Sequence, residues 1–133
     1  TNSSITPNNG LFLSGSTSDW VYPSNDNLWQ GNNAINNPCP IGYRLPTSSE
    51  FETERLSWIS NDNLGAFSSP LKLTVGGFRA YNSGDISGVD LFGFYWTSNI
   101  DGTKSSYFGF DSSNFYSDPT DRRNGMSIRC IQE

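Results

Sequence analysis

At 133 residues the chain is long enough for one domain with a real core and too short for two. Its formal charge of −5, from 8 basic and 13 acidic residues, excludes the basic footprint that non-specific nucleic-acid binding needs. No apolar run approaches the ~20 residues of a membrane-crossing helix, and the lack of any histidine removes the commonest general base together with the commonest transition-metal ligand.

Hydrophobic residues make up 34% of the chain and charged residues 16%, so Ser, Asn, Thr and Gly fill the remainder and loops should be abundant. Disorder is countered by 4 Trp, 6 Tyr and 9 Phe, whose rings offer ample area to bury. The expectation is a single loop-rich globular domain over 1–133. No signal peptide is visible, and a chain starting at Thr1 reads as a mature or excised piece.

The N-terminal segment, 1–27, fits no clear pattern. Within it Leu11-Phe12-Leu13 is a candidate short strand, and Trp20, Val21, Tyr22 and then Trp29 interleave with turn residues. "GNNAINNPCPIGYR" is rich in Asn-Pro and Pro-x-Gly turn signals and reads as a loop. A helix over about 48–59 follows. Thr47 and Glu50 fit a capping box, Glu50, Glu52 and Glu54 suit the positive end of the helix dipole, and Phe51, Trp58 and Ile59 fall near one face. This is the one helix the sequence predicts.

From residue 70 onward the pattern turns to strands. "LKLTVGGFRAY" and "LFGFYWTS" are rich in β-formers, and "SSYFGFDS" sets Phe108 and Phe110 against Tyr107, Gly109 and Asp111. "NGMSIRCIQE" alternates as well, grouping Met126, Ile128 and Cys130 after an Asn-Gly turn signal. "SNDNL" occurs at 24–28 and 60–64 with unmatched flanks, which reads as two similar turns rather than a repeat.

Two cysteines without histidine are too few for a structural zinc site. Cys39, before the helix, and Cys130, near the C-terminus, lie 91 positions apart and are best explained as a disulfide formed in an oxidising compartment. The alternative is a pair of free, buried thiols. A bridge would tie the helix entrance to the terminal strand and bring the chain ends together.

Three blocks carry a family resemblance: "LWQGNNAINNPCPIGYRLPTSSEFETERLSW", "SPLKLTVGGFRAYNSGDISGVDLFGFYWTS" and "RRNGMSIRCIQE". Together, over about 28–133, they resemble the Fibrobacter succinogenes major paralogous domain family, with its Cys-Pro-x-Gly-aromatic-Arg-x-Pro-Thr, Tyr-Trp-Ser/Thr-Ser and Asn-Gly-x-Ser-Val/Ile-Arg-Cys motifs. Arg44-Leu45-Pro46-Thr47 with Glu50 is also similar to a motif of the formylglycine-generating-enzyme superfamily. The resemblance implies an α+β, C-type-lectin-like fold: one main helix, small antiparallel sheets, long irregular loops and adjacent termini. The calcium motifs of sugar-binding lectins are absent, so a lectin-like fold would not by itself bring a sugar site.

Catalysis is not expected. Cys39 and Cys130 have no histidine or lysine beside them to depress a thiol pKa, and Asp118/Asp121 or Glu50/Glu54 read as turn residues and a solvated helix face. Calcium is the one candidate cofactor. Asp85 and Asp90, with Asn82, supply oxygens in a Gly-rich loop, and Asp26 and Asp62 do so in the two "SNDN" turns. The competing reading is that these residues bond their own backbone in turns.

The favoured candidate site is the C-terminal loop face: Asn99, Asp101, Tyr107, Asp111, Asn114, Tyr116, Asp118, Asp121, Arg122, Arg123 and Asn124. Tyr gives contact area at low entropic cost, and Asn, Asp and Ser give adaptable hydrogen bonds. Lectin-like proteins diversified by retroelements vary the corresponding region, a likeness in the style of site. Arg122-Arg123 could clamp an acidic ligand. The expected function is an extracellular ligand-recognition module of a larger bacterial surface or secreted protein, joined to other domains and binding a glycan or protein without nucleic-acid contact or membrane insertion. A structural spacer or assembly domain is the alternative, and a formylglycine-generating-type enzyme a distant third.

Overall fold

A computed structural model describes residues 18–31 and 33–133; the Leu11–Leu13 strand expectation lies outside the described residues. Among the described residues the fold is mixed α+β, with two short helices and three small antiparallel sheets. In order they are β1 (Tyr43–Arg44), α1 (Ser48–Arg55), α2 (Asn63–Ser68), β2 (Phe78–Arg79), β3 (Ile86–Ser87), β4 (Gly93–Asp101), β5 (Lys104–Phe110), β6 (Phe115–Thr120) and β7 (Ile131–Gln132). The sheets pair β1 with β7, β2 with β3, and β4-β5-β6 in that order. Among the described residues, no helix is long and apolar enough to cross a membrane.

Helix α1 starts where its capping residues dictate. Glu50 N–H donates to Thr47 Oγ1 at 3.2 Å, and Thr47 N–H donates back to Glu50 Oε2 at 2.7 Å. The helix ends at Arg55, earlier than 59, as the chain tightens into three-residue turns through Ser57 N–H to Glu54 O and Trp58 N–H to Arg55 O. Trp58 thereby swings onto the core while Ile59 is left 84% exposed, so Ile59 does not share the buried face.

The core joins both helices to the large sheet through Phe51, Ala66, Leu73, Tyr95, Phe108 and Phe110. Phe51 stacks on Phe108 at 4.7 Å, and Trp58 meets Phe108 and Phe110 edge-on at 5.7 and 5.6 Å. Tyr95 pays for its burial with hydrogen bonds: its hydroxyl accepts from Thr74 N–H at 2.8 Å and donates to Thr74 O at 3.1 Å. Across the sheet, Phe94 packs edge-on against Phe78 and Tyr107 at 5.5 and 5.3 Å. A Cβ at Gly109 would come within 2.7 Å of the Phe94 ring, so this close approach needs glycine.

Three other expectations change. The second "SNDNL" opens α2, with Asp62 as its N-cap accepting from Gly65 N–H at 2.9 Å, rather than forming a plain turn. The strand expected over 71–81 contracts to β2. Leu71, Leu73 and Val75 face the core and Lys72, Thr74 and Gly76 are exposed, as alternation requires. Lys72, however, takes a positive φ of 51°, and Thr74 N–H donates to the Tyr95 hydroxyl instead of a ladder partner. The strand expected over 126–131 is limited to bridges and β7: Trp96 N–H donates to Ser127 O and Ser127 N–H to Phe94 O, covering the second edge of β4.

Candidate functional site

The frame that carries the site closes on itself. Cys39 and Cys130 form a disulfide with their Cα atoms 5.8 Å apart, and β1 pairs antiparallel with β7 beside it. Arg44 completes the closure, holding Glu50 through two hydrogen bonds at 2.9 and 2.7 Å and Glu133 at 3.6 Å. The Arg44 hydrogen bonds, aided by those from Thr47, hold the Glu50 carboxyl down at about 2 despite its partial burial. Arg44 also donates to the Leu45 carbonyl.

The β4–β5–β6 sheet gathers part of the C-terminal face. Tyr107 stands opposite Asp118 in the ladder, and Tyr116 lies two residues from Asp118 on the same side. Burial, and then the Asp118 charge, pushes the Tyr107 hydroxyl pKa up. Asp118 itself is exposed, as are Asp101 beside the β4–β5 turn and Asn114 in the β5–β6 turn. Among the described residues no strand pairs with the outer edge of β6, whose Pro119 is tolerated at such an edge.

Other residues of this face are engaged in building it. Asp111 organises the β5–β6 turn, accepting from Ser113 and Asn114 N–H at 2.7 and 2.8 Å and from the Tyr116 hydroxyl. Asn99 Oδ1 accepts from Ser48 N–H at the start of α1, and Asn124 Oδ1 accepts from Tyr81 N–H. Arg123 holds both oxygens of Asp121 at 2.8 Å and lies 4.2 Å over the Tyr81 ring. Arg122 donates to Asp19, Asp26 and the carbonyls of Gly102 and Lys104. Both arginines therefore hold carboxylates of the chain itself.

The Arg122 network creates a feature that lay outside the expected face. Between the 19–30 segment and the β4–β5 hairpin is a narrow cleft, about 30 Å3 enclosed and about 380 Å3 once the open solvent at its mouth is counted, with Trp20, Trp29, Trp96, Asp26, Ser105 and Arg122 in its lining. Trp96 forms its buried floor, while Trp20 and Trp29 are partly exposed. In sequence the only signal was two tryptophans in a turn-rich stretch.

The Gly-rich stretch places Asp85 and Asp90 on either side of β3, both exposed. Asp90 takes a positive φ of 64° with its N–H donating to Val75 O, and Asp85 N–H donates to Ser83 Oγ. Among the described residues no three acidic or cysteine side chains are gathered as a metal would require, so this geometry adds no support for calcium. Asp26 and Asp62 are an ion-pair partner and a helix cap. Comparison of the chain with protein-family models, curated proteins and solved structures finds no match.

Proposed function

We propose that the chain is a ligand-recognition module of a larger extracellular bacterial protein, C-type-lectin-like in fold, and akin to the Fibrobacter succinogenes major paralogous domain family through its motifs over 28–133. It binds a glycan or a protein through its C-terminal face. The observation that carries this reading is the division of labour in that face. Asp111, Asp121, Arg122 and Arg123 are tied into a framework of the chain's own hydrogen bonds, while Asp118 is left exposed opposite Tyr107 and two residues from Tyr116, with Asp101 and Asn114 exposed at the two ends of the sheet. Binding residues held by such a framework lose little entropy when a ligand docks. The disulfide suits an oxidising, extracellular setting.

The test is binding of the purified chain to arrayed glycans and matrix proteins, compared with a Tyr116→Ala/Asp118→Ala variant. Loss of signal in a variant with unchanged circular dichroism supports the face. An undiminished signal removes it. The spacer reading draws on the edge of β6 that no described strand pairs, and a wild-type chain that binds nothing on either array would favour it.

A further inference from the structure

Two buried donors in the described chain lack any acceptor: the indole Nε1–H of Trp29 and the Nε–H of Arg122. Both residues line the cleft between the 19–30 segment and the β4–β5 hairpin. Buried polar groups are rarely left unpaired, and two in one cleft call for a common explanation. The Arg122 side chain is only 8% exposed, and its other nitrogens are all engaged.

We infer that the cleft takes a neutral saccharide, with Trp29 Nε1–H and Arg122 Nε–H donating to sugar oxygens. This rests on the reading of the chain as a recognition module and adds to its C-terminal face a glycan subsite in the neighbouring cleft. Three of the chain's 4 tryptophans line the cleft, and indole faces suit the apolar C–H faces of a pyranose. Asn25, Gln30 and Ser105 add groups able to donate or accept, as sugar hydroxyls require. Charge decides against the other ligand classes. Asp19 and Asp26 outnumber Arg122, which disfavours an anion, and a cation would offer the two donors no acceptor. The donors are enclosed in about 30 Å3, room for a sugar hydroxyl and not for a ring, so the ring sits in the open mouth beside the Asp26–Arg122 ion pair while its hydroxyls reach in.

The experiment uses the full chain in chelator, on an array of neutral hexose oligosaccharides with sialylated and sulfated glycans alongside. The best neutral glycan is then titrated into the 15N-labelled protein. Neutral glycans should bind, and the Trp29 indole N–H resonance should shift. Trp29→Phe keeps the ring contact but deletes one donor, so affinity should fall about tenfold with the melting temperature held or raised. Trp20→Ala at the rim should weaken binding too, and guards against misfolding of the first variant. Neutral binding with an unmoved Trp29 resonance, and with affinity unchanged in both variants, overturns the cleft while leaving the recognition reading intact. Binding confined to sialylated or sulfated glycans overturns it as well. No glycan binding at all overturns the saccharide assignment and turns the recognition reading to protein ligands.

Discussion

Arg122 Nη1 donates to the Asp19 carboxylate at 2.9 Å, joining residues 103 positions apart through side chains that are 8% and 1% exposed. The same guanidinium reaches Asp26 and the carbonyls of Gly102 and Lys104, so one residue fastens the 18–31 segment to the β4–β5 turn. Residues near the N-terminus and in the C-terminal third thus form one surface.

Removing one partner of that pair should be costly. Asp19→Ala leaves Arg122 buried with only the peripheral Asp26 and two carbonyls, and should lower stability by about 3 kcal/mol. Urea denaturation of both proteins measures it. A loss below about 0.5 kcal/mol, the scale of an ordinary surface change, would show that the segment is not held this way.

The Cys39–Cys130 bridge closes a loop across 91 positions. Its removal in a Cys39→Ser/Cys130→Ser variant should cost about 2–5 kcal/mol, mostly by releasing the unfolded chain. Denaturation of the native protein with and without reductant should show the same drop. Thiol labelling of the denatured, unreduced chain should find no reactive cysteine.

Glu50 gives a pH signature. Its folded pKa is held at about 2, below the ordinary 4.5, so its contribution is present above pH 4.5 and is lost as pH falls toward 2. Glu50→Gln keeps the capping geometry and removes the charge. The wild type should exceed this variant at pH 6 by about 1 kcal/mol, a figure kept small by solvent screening. The gap should close between pH 4.5 and 2, and a gap independent of pH would contradict the assigned role.

In the β5–β6 turn the Tyr116 hydroxyl is the leading cause of the lowered Asp111 pKa. Tyr116→Phe should move the Asp111 titration upward, as followed by carboxyl NMR, while circular dichroism shows the fold unchanged. An unmoved Asp111 would mean that the backbone N–H groups alone set its acidity.

Local chemistry was the readable part of the sequence. Thr47 and Glu50 announced α1, and the alternation around Phe108 and Phe110 announced β5, because caps and pleats are set by near neighbours. Helix α2 was hidden: it has six residues, contains Gly65, and starts from an Asp62 cap in a stretch that reads equally well as a turn. Strand β6 was hidden by Pro119, which only its edge position permits. Tyr107, Tyr116 and Asp118 are brought together by the β5–β6 ladder, a neighbourhood that stayed out of sight with β6 itself. The structural tasks of Arg122 and Asn99 were not legible, since their partners Asp19 and Ser48 lie 103 and 51 positions away.

The measurement that bears most directly on recognition is array binding of the wild-type chain to glycans and matrix proteins, run in calcium and again in excess chelator. The account predicts a selective signal for one ligand class that survives chelation. A signal lost with chelator would establish a calcium-dependent site and turn attention to Asp85 and Asp90. No selective signal in either buffer would contradict recognition and favour a spacer.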